Sequence, residues 1–131
     1  MNSEPNGMNV NAVSDSDVLI DWFRGHPEAA AAFATYDRVM ISRITWIEVL
    51  VGAATAESEA FTRRILSAFT IIDISDAIAE EAVLLRRRSR LKLPDAIILA
   101  TAKVHGCVLL TRNTRDFEAS DANVSIPYRL S

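Results

Sequence analysis

Short apolar strands alternate with helical segments along nearly the whole chain, and this alternation constrains the fold more than any other feature. The predicted strands cover about residues 10–13, 39–42, 69–74, 107–111 and 124–126. The predicted helices cover about residues 18–24, 27–36, 44–51, 57–68, 76–90 and 94–104. Strands joined by helical crossovers pair in parallel and carry helices on both faces. We therefore expect a three-layer α/β/α domain with a central parallel sheet.

Length and composition are typical of one globular domain. The chain has 131 residues, of which 50% are hydrophobic and 24% are charged. A chain of that size buries enough surface to fold without disulfides or metals. Residues 1–7 are polar and include Pro5 and Gly7, so we expect a disordered extension followed by a single domain over residues 8–131. The net charge of −3 gives no general attraction to nucleic acid, so any such contact requires a local basic patch.

Several classes of protein are excluded. The single cysteine, Cys107, excludes an internal disulfide framework and a cysteine-based zinc cluster, and its apolar neighbours predict a place in the core. The chain lacks a signal-peptide pattern and an apolar run near the ~20 residues of a membrane helix, so we expect no membrane association and a cytoplasmic location. Phosphate-binding loops, dinucleotide fingerprints and nucleophile motifs are absent, and His26 and His105 lack the spacing of a ligand pair.

Four acidic residues stand where a predicted strand gives way to a helix or a loop: Asp15, Glu48, Asp95 and Asp116. Parallel strands place their carboxyl ends at one edge of the sheet, where acids that are distant in sequence can converge. Mg²⁺ and Mn²⁺ prefer oxygen ligands of this kind and leave room for water and substrate phosphates. The pattern predicts a divalent-cation site for phosphoryl chemistry.

Each acid also has a local structural explanation. Thr45 and Glu48 fit a capping box at a helix start. Asp95 follows a proline in a first helical turn, where the helix dipole favours negative charge. Asp15 and Asp116 have the positions of capping residues. Capping and metal binding remain compatible, because helix starts in such a sheet lie near the strand ends where ligands bind.

The segments around these acids resemble the PIN domain family, and within it the VapC-type toxins of type II toxin–antitoxin pairs. Residues 15–21 (DSDVLID) are similar to the first family motif, residues 93–106 to the third segment and residues 111–117 (TRNTRDF) to the fourth. The resemblance spans about residues 8–128 and depends on the order and spacing of these segments. It implies a PIN-like fold and an endoribonuclease in which Asp15, Glu48, Asp95 and Asp116 bind Mg²⁺ or Mn²⁺ for catalysis.

The resemblance also implies roles for neighbours of the acids. Ser16, Thr111 and Asn113 are expected to support the metal ligands, and Arg112 is expected to contact RNA. Asn113 stands where some members of the family have an aspartate, so either this amide or the later Asp116 is the fourth ligand.

Two further acids and a basic run lie close to these motifs. Asp17 replaces the serine or asparagine that is more common in the family, and we expect it in the first turn of a helix. Asp21 is expected to have a structural role. Arg86 to Arg88 and Arg90 precede the third segment, but consecutive residues on a helix point in different directions. The basic run therefore fits either a solvated helix end or a contact with RNA or a partner.

By resemblance, the expected partners are an RNA substrate, a second copy of the chain in a homodimer and a VapB-type antitoxin. The antitoxin would lie across an apolar groove and place a basic side chain in the acidic site. Candidates for the groove, or equally for the core, are Trp22, Phe23, Trp46, Ile47, Phe61 and Ile65. Three alternatives stay open: a PIN-like nuclease outside toxin systems, a catalytically silent PIN-like binding protein, and a phosphohydrolase for small substrates. The RNA target cannot be read from one chain.

Overall fold

The computed structural model describes residues 10–118 and 121–129, and the predicted alternation of strands and helices is present in it. The strands are β1 Asn11–Ser14, β2 Arg38–Ser42, β3 Thr70–Ile72, β4 Val108–Leu110 and β5 Val124–Ser125. The helices are α1 Ser16–Phe23, α2 Pro27–Ala34, α3 Arg43–Val51, α4 Ala56–Leu66, α5 Asp76–Arg88 and α6 Leu93–Val104. The extension predicted for residues 1–7 lies outside the described residues. None of the described helices has the length and apolar character needed to cross a membrane.

The sheet has five strands in the order β3-β2-β1-β4-β5, and every neighbouring pair is parallel. The predicted central parallel sheet is therefore confirmed. The chain runs from β1 outward to β2 and β3, and then returns to the other side of β1 as β4 and β5. The direction of winding reverses between β1 and β4, and a reversal of this kind opens a crevice at the carboxyl ends of the two strands.

Hydrophobic clusters on the two faces of the sheet make the fold three layers thick. One cluster joins Val13 and Leu109 of the sheet to residues of α5 and α6, and Cys107 is buried in it as predicted. The other cluster joins Ile41 to α1, α3 and α4, together with stacked aromatic rings. The Trp22 ring stacks on Phe33 with ring centroids 5.7 Å apart. Burial of both sheet faces explains why the strands read as continuous apolar runs.

Two local predictions differ from the structure. The capping box predicted for Thr45 and Glu48 is wrong, because α3 starts earlier: Ser42 ends β2 and its hydroxyl accepts a hydrogen bond from the amide of Ile44 at 3.1 Å. Glu48 thus lies in the second turn of α3, without a capping role. β3 ends at Ile72, earlier than predicted, because its partner β2 ends at Ser42 and leaves the following residues unpaired.

Glycines at two helix ends allow a matched prediction. Gly106 follows α6 with φ of 64°, whereas Gly52 follows α3 with φ of −75°. Alanine at Gly106 should lower the free energy of unfolding by about 1 kcal/mol, since side chains disfavour positive φ. Alanine at Gly52 should raise it by about 0.5 kcal/mol through a lower entropy of the unfolded chain. Urea denaturation of both variants tests this, and equal midpoints would contradict it.

Candidate active site

Asp15 occupies the crevice where the winding of the sheet reverses. It directly follows β1 and is 6% exposed, and its backbone amide donates to the carbonyl of Leu110 in β4 at 2.9 Å. One carboxylate oxygen accepts a hydrogen bond from the Ser16 amide at 2.8 Å, which makes Asp15 the N-cap of α1 as predicted. The other oxygen accepts the Thr111 hydroxyl at 2.8 Å. Groups from both central strands thus fix the orientation of this carboxylate.

Glu48 is linked to Asp15 by one serine. The Ser16 hydroxyl lies 3.0 Å from Oε1 of Glu48 and 3.4 Å from Oδ1 of Asp15. Ser16 is in the first turn of α1, and Glu48 is on an exposed position of α3. The sequence predicted that Ser16 supports the metal ligands, and the structure places its hydroxyl beside two of these acids.

Asp116 is held by Asn113 in the loop after β4. The Asn113 side-chain nitrogen donates to Oδ2 of Asp116 at 2.9 Å, and the backbone amide of Asp116 donates to Oδ1 of Asn113 at 3.2 Å. The amide of Asn113 donates in turn to the Thr111 hydroxyl oxygen at 3.0 Å. Both polar atoms of the Asn113 side chain are thus engaged with Asp116, and the whole loop is anchored on the threonine that also contacts Asp15.

Asp95 is the acid whose charge interacts with those of the other three predicted acids. It is a half-buried residue in the first turn of α6. Burial raises its pKa, and the charges of Asp116 and Glu48 raise it further. Burial raises the pKa of Asp15 to about 7, with contributions from Asp17 and Asp95, against the hydrogen bonds from Thr111 and Ser16. The charge of Asp95 is therefore close enough to interact with each of the other three predicted acids.

The donor set matches a hard divalent cation in its chemistry. Its ligand candidates are all carboxylate oxygens, which Mg²⁺ and Mn²⁺ prefer. Burial raises the pKa of Asp15 and of Asp95, and neighbouring carboxylates raise both further. In the described part of the chain, no group of three or more histidine, cysteine, aspartate and glutamate side chains is placed so that it could hold a metal ion together. The four acids therefore suit a divalent cation by the type of their ligand atoms and by their charge.

A second polar network was not predicted from the sequence. Asp21 is 4% exposed and accepts hydrogen bonds from Nε of Arg112 at 2.7 Å and from the hydroxyl of Tyr128 at 2.7 Å. Burial alone would raise the pKa of Asp21, but these two donors hold it below its usual value. The structural role predicted for Asp21 is present, whereas Tyr128 gave no signal because it lies 107 residues away.

Arg112 is consequently directed into the protein. Its guanidinium pairs with Asp21, and its backbone amide donates to Oδ2 of Asp17 at 3.1 Å. Asp17 lies in the first turn of α1, as expected. The RNA contact expected of Arg112 stays a prediction, and the observed pairing ties α1 to the loop that carries Asn113 and Asp116.

An apolar cavity of about 400 Å³ opens between α1, α3 and α4. Phe23 and Phe61 line it, and it reaches Glu48 of the acidic group. Of the other groove candidates, Trp22 packs in the core, while Ile47 is 44% exposed beside α4. Two of the six candidate residues therefore line this cavity, and its role as a groove for a partner stays a prediction.

The PIN domain family model matches residues 12–122 of the chain. No curated protein matches it. A toxin–antitoxin complex from Klebsiella pneumoniae contains a chain 50% identical to this one, covering 91% of this chain and 99% of that chain with a TM-score of 0.83. FitAcB from Neisseria gonorrhoeae is 24% identical over 91% of this chain and 99% of that chain, with a TM-score of 0.74. VapBC-5 from Mycobacterium tuberculosis is 24% identical over 92% and 99%, with a TM-score of 0.66, and these two show the shared fold.

Asp15 generates a prediction about pH. In EDTA, stability should fall from about pH 4 to about pH 7, because the folded state keeps the Asp15 proton until a pKa of about 7 while the unfolded state releases it near 3.8. Asp15→Asn keeps an N-cap, removes the buried charge and should raise the melting temperature at pH 8 by roughly 5 °C. The pKa of the exposed Asp73 is lowered by its hydrogen bond from Arg43, so Asp73→Asn should leave the slope between pH 4 and 7 unchanged. Thermal denaturation across this range checks both variants, and an Asp15→Asn curve parallel to the wild type would contradict the assignment.

Proposed function

The chain belongs to the PIN domain family, and from this membership we propose that it is a Mg²⁺- or Mn²⁺-dependent endoribonuclease that acts as the toxin of a VapBC-type toxin–antitoxin pair. One observation carries the proposal: the carboxylate of Asp95 interacts electrostatically with those of Asp15, Glu48 and Asp116, which come from three other segments of the chain. A phosphodiester is itself negatively charged, so it can approach this group only with a cation between them.

The residues have distinct tasks in this proposal. Asp15, Glu48, Asp95 and Asp116 would hold the cation. A divalent cation bound there lowers the pKa of water for attack on phosphorus and offsets the charge that develops on the phosphodiester. Ser16 and Thr111 orient Asp15, and Asn113 orients Asp116, through the hydrogen bonds described above. Hydrogen-bonded carboxylates of this kind lose little orientational freedom when they bind a cation.

Among the described residues, no cysteine or histidine lies at this edge, which supports hydrolysis by water. In the described residues, Cys107 and His105 precede β4 and so lie at the amino edge of the sheet, opposite the acids. His26 caps α2 and lies 3.3 Å from Glu28, with its imidazole engaged there. Covalent catalysis requires a nucleophile beside an activating base, and these residues do not supply that pair.

An antitoxin partner is proposed from the 50% identical chain, which belongs to a toxin–antitoxin complex. The apolar cavity between α1, α3 and α4 suits the apolar side chains of such a partner, and Glu48 marks its connection with the acids. A guanidinium pairs bidentately with carboxylates, so an antitoxin arginine would compete with the cation for the site. A homodimer also stays a proposal, and exposed apolar residues of α5, among them Val83 and Leu84, are available for it.

Asp95→Asn should lower RNA cleavage at least about 100-fold, because it removes the central carboxylate that faces the other acids. The assay follows a structured RNA with Mg²⁺, Mn²⁺ or EDTA, and thermal denaturation confirms that the variant is folded. Asp37→Asn is the matched control, because it changes the charge equally on an exposed loop before β2. If Asp95→Asn cleaved RNA like the wild type, the site assignment would be wrong, and an inactive wild type would favour a silent binding protein.

The same assay ranks the two residues of the fourth position. Asp116→Ala should cost more activity than Asn113→Ala, because Asn113 uses both side-chain atoms to hold Asp116 and acts on the cation only through it. We expect a loss of roughly 100-fold for Asp116→Ala and roughly 10-fold for Asn113→Ala. The reverse order would make the amide the nearer ligand.

Phe61→Glu should break the complex with the antitoxin while leaving the nuclease intact. Phe61 is 52% exposed and lines the apolar cavity, so an antitoxin bound there would have to bury a carboxylate in place of an aromatic ring. Cells that express this variant together with the proposed antitoxin should stop growing, whereas cells with the wild-type pair should grow. Val104→Glu at the far end of α6 is the control, since Val104 is 40% exposed and distant from the cavity in the fold. Rescue of both variants by the antitoxin would exclude this groove as its binding site.

A further inference from the structure

Whereas the apolar cavity reaches the acids at Glu48, a second cleft is lined by Asp116. It has a volume of about 370 Å³ and opens between the connection from α5 to α6 and the loop after β4. Arg88 and Arg90 line it from the connection, and Arg115 and Asp116 line it from the loop. Asp116 is also one of the four candidate cation ligands, so the cleft leads directly away from the proposed reaction site.

The arginines of this cleft are available to a ligand. Arg88 has a side chain that is 64% exposed, and its only described ion pair, with Glu81, is long at 3.5 Å. A surface pair of that kind holds an arginine weakly. Arg90 and Arg115 are exposed and make no ion pair or side-chain hydrogen bond with another described residue. Arg112, by contrast, is committed to Asp21.

The local charge is opposite to that of the whole chain. Three arginines face the cleft against the carboxylates of Asp116 and Glu118, although the chain carries a net charge of −3. Guanidinium groups bind phosphate oxygens bidentately and are weakly hydrated, which suits them to a nucleic-acid backbone. Arg86 and Arg87 of the same basic run do not line this cleft. Of the basic run at residues 86–90, only Arg88 and Arg90 therefore line the cleft.

We propose that Arg88, Arg90 and Arg115 bind backbone phosphates of the RNA strand next to the scissile bond, in the cleft that begins at Asp116. This inference rests on the proposed function and specifies its substrate path. A strand whose scissile phosphate lies at the acids has its neighbouring phosphates within the cleft. Because such contacts reach phosphates and not bases, they give affinity and position without sequence preference.

Binding is measured by fluorescence anisotropy with a labelled single-stranded RNA, in an Asp95→Asn background with Mg²⁺ so that the RNA stays intact. Arg90→Glu and Arg115→Glu should each raise Kd roughly tenfold. Each should also reduce the slope of log Kd against log salt by about 0.7, the contribution of one phosphate contact in a single strand. Arg90→Lys and Arg115→Lys retain the charge and should restore most of the affinity. Arg87→Glu has the same charge change outside the cleft and should stay within about twofold of the parent.

Cleavage in the wild-type background gives a second readout. Arg90→Glu and Arg115→Glu should raise KM roughly tenfold and leave kcat within about threefold, since the cation ligands are untouched. Equal Kd values for the cleft variants and for Arg87→Glu would overturn the cleft assignment while cleavage by the wild type still stood. An inactive wild type that nevertheless bound RNA through Arg90 and Arg115 would overturn the nuclease instead. Loss of antitoxin binding with unchanged RNA binding would assign the cleft to a protein partner and refute the proposal.

Discussion

The hydrogen bond between the Thr111 hydroxyl and the Asp15 carboxylate organises much of this edge of the sheet. It joins the ends of β1 and β4, the two strands between which the chain reverses its winding. The Thr111 hydroxyl oxygen also accepts a hydrogen bond from the backbone amide of Asn113, whose side chain donates in turn to Asp116. A carboxylate at that depth is destabilised as an anion, and its raised pKa reports the cost. The fold tolerates this charge because hydrogen bonds offset part of the desolvation.

Periodicity and turn signals predicted most of the fold because its strands are buried on both faces and its helices are covered on one. Each crossover then has only one common arrangement, and the parallel sheet follows. Errors occurred where the outcome depended on an immediate neighbour in space. The sequence offered Thr45 and Glu48 as a capping box, but Ser42 had already capped α3 from the end of β2. β3 ended when its partner strand ended, which its own residues could not predict.

The candidate site likewise contains residues that the sequence predicted and a contact that it did not. The four acids were accessible from sequence because Asp15 and Asp116 follow strands, while Glu48 and Asp95 lie in the first two turns of helices. The topology of such a sheet brings strand ends and helix starts together. The pairing of Arg112 with Asp21 was not accessible, since it joins segments 91 residues apart through side chains. This pairing makes Arg112 a support for the loop of Asn113 and Asp116. In the proposed arrangement, Arg88, Arg90 and Arg115 contact the RNA in its place.

The placement of charge around the acids gives the two proposed partners separate routes to one site. The apolar cavity reaches Glu48 from the side of α1, α3 and α4, whereas the arginine-lined cleft reaches Asp116 from the loop after β4. A protein segment gains free energy from burying apolar groups in the first, and a polyanion gains it from the guanidinium groups of the second. The two routes end at different members of the acidic group, whose charge a bound cation or an inserted arginine would neutralise. Inhibition in the proposed pair therefore needs no conformational change in the nuclease, because occupation of the acids by an antitoxin arginine displaces the cation that cleavage requires.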